Sequence, residues 1–276
     1  TEYFSGKSAK DLTLCRTDFA DAYGIDLRLS TKATAIDTIS KTVTTNHGDV
    51  IAYDKLVLAT GSYAFVPPIP GNDRENCFVY RTIEDLDAIR AASLNAKTGV
   101  VIGGGLLGLE AAKALRDLNL ETHVVEFAPR LMAVQIDDLG GKVLRSKIEN
   151  LGVQVHTQKA TSAIEEGVNA KHVMKFGDGA ELETDIILFS AGIRPRDELA
   201  RQSGLAIGER GGIMINDYCQ TSNPDIYAIG ECALWNNKIF GLVAPGYDMA
   251  RIAAKHVLQE ECAAFAGADM STKLKL

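Results

Sequence analysis

The 276 residues contain no run of about 18 apolar residues. Gly, Asp or Lys interrupts each long apolar stretch, which argues against a bilayer-spanning helix. The N-terminus lacks a basic region followed by an apolar core, so no secretory signal is expected. Lys/Arg-rich runs are missing too. With 29 Lys and Arg against 36 Asp and Glu the formal charge is -7. Neither nucleic acid nor a membrane is therefore expected as a partner. The five cysteines, Cys15, Cys77, Cys219, Cys232 and Cys262, form no CxxC or CxxxxC pair, and no two lie closer than 13 residues. That spacing speaks against a local dithiol centre or a zinc knuckle. The simplest setting is a reducing, cytoplasmic one with mostly buried thiols. No His pair has ligand spacing, and no metal site is expected.

What is present reads as a globular α/β chain. Hydrophobic residues make up 46% and charged residues 24%, and the length suits about two domains. Thr42–Thr45 and Val50–Tyr53 flank Asn46-His47-Gly48-Asp49, a hairpin signal. Lys55–Ala59, Thr98–Val101, Asp185–Phe189 and Ile226–Ile229 are short, nearly continuous apolar runs. Such runs suit strands buried on both faces of a parallel sheet. Leu12–Leu14 and Ile25–Leu29 read as further short extended pieces, and Asp18–Tyr23 as a helical turn or two. Pro67-Pro68-Ile69-Pro70-Gly71 reads as a stiff loop between domains. Helices are expected at Asp85–Ala92, Leu107–Leu118, Asp137–Asn150 and Met249–Glu260, with Gly152 closing the third as a left-handed cap.

Gly103, Gly105 and Gly108 form G-x-G-x-x-G between an expected strand and an expected helix, a context that gives the pattern its weight. The first glycine permits the tight turn, the second lets a pyrophosphate approach the backbone, and the third lets helix and strand pack closely. Gly104, Leu106 and Leu107 complete the turn, whose N–H groups face an anion with the positive end of the helix dipole behind them. Glu126 follows Gly108 by 18 residues at the end of the next strand. A carboxylate there accepts both adenosine ribose hydroxyls and repels a 2'-phosphate, which favours NADH over NADPH. Arg130 stands near enough to soften that choice.

Gly103-Gly105-Gly108 with Leu109-Glu110-Ala111-Ala112, preceded by Leu58-Ala59-Thr60-Gly61 and followed by Ile226-Tyr227-Ala228-Ile229-Gly230-Glu231, resembles the two-dinucleotide-domain pyridine nucleotide-disulfide oxidoreductases over the whole chain. Gly230-Glu231-Cys232-Ala233, Leu242–Tyr247 and the closing Gly267–Leu276 run narrow the resemblance to the large subunits of assimilatory NAD(P)H-dependent nitrite reductases. The resemblance implies a Rossmann-like FAD/NAD(P)-binding fold, with an NAD(P)H domain (97–214) inserted in a truncated FAD domain (1–96 and 215–276). It implies an internal fragment, because residues 1–40 contain no Gly-rich turn for the first FAD-binding unit, and FAD is expected to bind weakly or not at all.

It also implies site residues. Thr60 and Gly61 would lie by the flavin pyrophosphate or hinge. Gly230 and Glu231 would take the acidic flavin position, Pro245 with Gly246 the isoalloxazine edge, and Arg81 the crossover between domains. Glu110 would stand near the nicotinamide and Gly192 against the NADH. Glu110 and Glu231 can equally be read as helix caps, and Cys232 as a buried small hydrophobe. The implied activity is hydride transfer from NADH to FAD, with electrons leaving to iron-sulfur and sirohaem domains of the same polypeptide, nitrite as the final acceptor, and a small subunit as partner. A ferredoxin-, rubredoxin- or coenzyme A disulfide-type reductase, or a non-catalytic nucleotide-binding domain, stands as the alternative.

Overall fold

A computed structural model describes residues 3, 4 and 6–274; Lys275 and Leu276, which end the closing run, lie outside the described residues. The chain divides into two compact units. A flanking unit holds Cys15–Tyr63 and Ile193–Met270, and a central unit holds Ala64–Gly192 with the described residues up to Leu14 and from Ser271.

The first segments are irregular. Leu12 ends a 3-10 turn, Lys10–Leu12, where a strand is expected, and α1 is the single turn Phe19–Ala22. Ile25–Leu29 forms no strand; Leu27 and Leu29 are exposed, so no apolar face drives pairing. The hairpin signal is realised as a meander of β1 (Ala33–Asp37), β2 (Thr42–Thr45) and β3 (Val50–Ala52). Then come β4 (Leu56–Leu58) and β5 (Ser62–Ala64).

The central unit is built on a five-stranded sheet. Its strands are β6 (Cys77–Val79), β7 (Thr98–Ile102), β8 (Glu121–Glu126), β9 (Val153–Thr157) and, after the meander β10 (Thr161–Glu166), β11 (His172–Phe176) and β12 (Glu181–Thr184), β13 (Ile186–Phe189). The order is β6-β13-β7-β8-β9 and every pairing is parallel. Three helices complete it: α2 (Ile83–Ser93), α3 (Leu106–Asp117) and α4 (Asp138–Asn150). A capping box starts α2, with Thr82 and Asp85 each accepting the other's backbone N–H. Asp137 caps α4 by accepting from Gly140 N at 2.8 Å, and Gly152 leaves it at φ +82°. Leu109, Ala111, Ala112 and Leu115 bury one face of α3 in a core with Val101, Val124 and Leu188; the alanines let helix and sheet approach closely. The other sheet face packs Val100, Val125 and Phe189 against Ile164 and Met174 of the meander. Asp185, ahead of β13, binds the start of β7 by accepting from Lys97 N at 2.7 Å and Thr98 N at 3.1 Å. Burial alone would raise its pKa, but these donors outweigh burial and hold the carboxyl below its usual range.

The chain returns to the flanking unit through β14 (Ile193–Pro195), α5 (Glu198–Gln202), β15 (Ile213–Ile215), β16 (Ile226–Ala228) and β17 (Ala233–Trp235). β16 pairs in parallel with β4, and β15 with β17. The final helix, α6, runs Val243–Val257, six residues earlier at its start than its apolar stripe suggests. Pro245 falls in its first turn, where a missing N–H costs no intrahelical bond.

The unit boundaries differ from 96/97 and 214/215. Residues 64–96 join the central unit because β6 bonds to β13 and α2 packs on both strands. Residues 193–214 join the flanking unit because α5 packs on β1 and β15 pairs with β17. The Pro67–Pro70 stretch thus lies inside a unit. No helix among the described residues is long and apolar enough to cross a membrane.

Candidate functional site

The glycine turn leaves the carboxyl end of β7 and enters α3. Each glycine there has a different physical reason. Gly103 has φ +119°, and a Cβ on it would overlap the carbonyl oxygen of Ser190. A Cβ on Gly108 would overlap the Gly103 carbonyl oxygen. These two are demanded by the protein itself. Gly105 is not: it caps α3 in ordinary extended backbone, φ -81° and ψ -176°, and no protein atom lies within 4 Å of where its Cβ would be. Neither strain nor packing requires glycine there; glycine is a favoured helix N-cap, and its bare backbone would also let a ligand approach closely. The residues present therefore fit a dinucleotide pyrophosphate over the N-terminus of α3.

Glu126 ends β8 with its half-buried carboxylate turned toward that turn. It accepts from Gly104 N at 2.5 Å and from Ala128 N at 2.7 Å. Arg130, expected to modulate the nucleotide choice, is occupied elsewhere. Its guanidinium donates to Ile136 O at 2.9 Å and Ala133 O at 3.3 Å, and pairs with Asp138 at 2.8 Å. Its stem lies so close to α4 that a Cβ on Gly141 would sit 2.9 Å from Cδ. Arg130 therefore holds the 130–138 loop to α4.

The remaining expected positions of the central unit share the same sheet edge. Because β6, β13, β7 and β8 are parallel, Arg81, Gly192, the turn and Glu126 all follow carboxyl ends of strands. Arg81 donates its N–H to Asp85 at 3.2 Å just ahead of α2. Gly192 has φ +103° with open space around it, and Leu106 and Leu107 form the first residues of α3, Leu107 47% exposed. Glu110, one turn along, is half-buried and bears on Tyr80, whose phenol is pushed up to about 12 by burial and then by that carboxylate.

Within the flanking unit, Thr60 and Gly61 follow β4, and Gly230 and Glu231 follow its parallel partner β16, so these four also share one carboxyl edge. Thr60 Oγ1 donates to Arg196 O at 2.6 Å, and Arg196 N donates to Gly61 O at 2.9 Å. Glu231 accepts from Ser62 Oγ at 2.6 Å. It lies in a three-residue 3-10 turn. Gly61 and Gly230 are left-handed, at φ +68° and +72°, with no atom near their Cβ positions. Pro245 is buried, and a Cβ on Gly246 would lie 3.4 Å from Gly230 Cα, so the start of α6 packs against this turn. Sequence reasoning missed Ser62 and Arg196. Their roles depend on the β5–β14 pairing, which three-residue strands do not announce.

A glycine turn between strand and helix at the carboxyl edge of a parallel sheet, with an acidic residue ending the next strand, defines a dinucleotide-binding protein of Rossmann type. The chain belongs to the pyridine nucleotide-disulphide oxidoreductase family, whose model matches residues 7–256. It is 59% identical to the NAD(P)H nitrite reductase large subunit of Klebsiella oxytoca, over 100% of this chain and 29% of that protein. It is 57% identical to the NADH nitrite reductase large subunit of Escherichia coli K12, over 100% of this chain and 33% of that protein. The chain thus spans about a third of the length of these relatives. Among solved structures it resembles the water-forming NADH oxidase of Lactobacillus brevis bound to NADH, with TM-score 0.89 and 26% identity, covering 99% of this chain and 63% of that one.

Proposed function

We propose that the chain belongs to the NADH-dependent flavin reductase module of a nitrite reductase, with the central unit binding NADH and the flanking unit supplying part of an FAD site that binds the flavin weakly. The observation that supports the NADH part is Gly105, whose bare backbone leaves the start of α3 open to an approaching pyrophosphate. Identity of 57–59% over the whole chain to nitrite reductase large subunits supports the larger assignment.

In this reading the N–H groups at the start of α3 and its dipole bind the pyrophosphate, as in other helix-terminal anion sites. Glu126 receives the adenosine ribose, and its charge, with no free cation at Arg130, disfavours a 2'-phosphate. Glu110 and Gly192 border the nicotinamide half, and Tyr80, protonated at neutral pH, contributes no charge there. Thr60, Gly61, Gly230, Glu231 and Pro245 would hold FAD. When bound, FAD supplies a hydride acceptor that releases electrons singly. Burial pushes the Cys77 thiol up to about 11 and Cys219 up to about 12, so neither offers a thiolate at neutral pH. With no CxxC or CxxxxC pair in the chain to take them, the electrons leave the module for iron-sulfur and sirohaem centres elsewhere in the polypeptide, with nitrite reduced to ammonium there and a small subunit assisting.

The test is NADH-dependent reduction of a one-electron dye by the chain with added FAD, followed by nitrite-dependent NADH oxidation by the full-length protein. Dye reduction requiring both NADH and FAD is expected. Dye reduction without nitrite turnover in the full-length protein would overturn the nitrite assignment alone.

A further inference from the structure

Ser62 opens β5 and is buried, with 3% of its surface exposed. A hydroxyl has one proton to donate, and Ser62 gives it to Glu231 Oε2 at 2.6 Å, the length of a charge-assisted bond to a carboxylate. The donor is held still. Arg196 Nε donates to Ser62 O at 3.1 Å, Arg196 N to Gly61 O at 2.9 Å, and Thr60 Oγ1 to Arg196 O at 2.6 Å. The acceptor is a long side chain on a three-residue turn, with several staggered rotamers open to it. The bond to Ser62 selects one of them. In that rotamer the other carboxylate oxygen, Oε1, lies 4.0 Å from the Cβ position of Gly241, where no side chain intervenes. Gly61 and Gly230, the residues just before Ser62 and Glu231, have Cβ positions in open space and present bare backbone.

We infer that Ser62 is a positioning residue for the flavin: its hydroxyl sets the Glu231 carboxylate in the orientation that accepts the hydroxyl groups of the FAD polyol chain. This rests on reading the flanking unit as part of an FAD site. The polyol offers O–H donors and an ionised carboxylate only accepts, so the two are complementary. A carboxylate that must first find its rotamer loses freedom on binding, whereas one already held does not. Ser62 spends its single proton on Glu231, so it acts through that carboxylate and not as a donor to the flavin.

The experiment is a titration of the whole chain with FAD, followed by flavin fluorescence, for the wild type, Ser62→Ala, Glu231→Ala and the double variant, with NADH affinity measured alongside. Ser62→Ala is expected to weaken FAD about fivefold, the worth of one hydrogen bond, and to leave NADH unchanged. In the Glu231→Ala background the same substitution is expected to cost nothing further. Ser62→Thr, which keeps the hydroxyl, is expected to retain affinity, and Ser62→Cys, close in size with only a weak donor, to share the loss. Wild-type chain that binds FAD while Ser62→Ala binds it equally well would overturn this inference and leave the flavin reading standing. So would a loss of the same size with and without Glu231, which is the mark of a merely structural role. Wild-type chain that leaves flavin fluorescence unchanged at saturating FAD would overturn both.

Discussion

Gly103, Gly105 and Gly108 look alike in the sequence and differ in what their side-chain positions meet. Adding a methyl at Gly108 drives it into the Gly103 carbonyl. Gly108→Ala is therefore expected to lower stability by about 1–3 kcal/mol or more, read as a lower Tm with or without nucleotide. Glu126 has two jobs. It accepts two backbone N–H groups, so its removal costs stability through the bonds it leaves unmade. Its charge also sets the nucleotide choice. The ratio of NADH to NADPH affinity separates the jobs, since a structural loss weakens both ligands together. Glu126→Gln is expected to move that ratio toward one, and an unchanged ratio in a titration with both nucleotides would remove Glu126 from selectivity. The glycines were legible because their spacing follows directly from the strand–turn–helix path. Arg130 was not: its partners Ala133, Ile136 and Asp138 come together only when the loop folds back on α4.

The strongly patterned elements carry their own explanation. The expected helices at Asp85–Ala92, Leu107–Leu118 and Asp137–Asn150 form within two residues of their expected bounds: α3 has a buried stripe, and α2 and α4 have side-chain caps. The three-residue strands β5, β6, β14, β15 and β17 have no period to read, and long-range pairing alone makes them strands. One pair of strands also carries a pH response. His123 on β8 and His156 on β9 sit with Nδ1 and Nε2 3.0 Å apart, their rings stacked. Burial, then the neighbouring His156, holds His123 below the usual histidine pKa, with Glu121 opposing. Burial, then Lys159 and Arg145, does the same for His156. Both are therefore neutral in the fold, and the unfolded chain binds protons first. Their contribution is complete above about pH 6.5 and is lost as pH falls through the folded values. The Tm of the wild type is expected to fall more between pH 7.5 and pH 5.5 than that of His156→Gln, which keeps an acceptor for His123 without a second titrating ring. Parallel losses in the two proteins would exclude the pair as the source.

At the scale of the molecule, the expected site residues gather at carboxyl edges of parallel strands, one edge in each unit. The compact units do not follow the expected domain boundaries, for a physical reason. Proline and glycine mark stiff or tight backbone, whereas a unit is defined by which strands share a sheet, and β6 joins β13 across more than a hundred residues. Every residue placed at the NADH site lies in the central unit, so NADH binding is expected without added flavin. The direct measurement is a calorimetric titration of the wild type and Gly105→Val with NADH, paired with melting curves. A Cβ meets open space there and the backbone is extended, so Tm is expected to fall only by the small cost of a poorer helix N-cap. Wild-type chain is expected to bind NADH, and Gly105→Val to bind at least about tenfold more weakly, the loss of one charge-assisted contact. Equal affinities, with both proteins folded at the titration temperature, would show that no nucleotide lies over the start of α3.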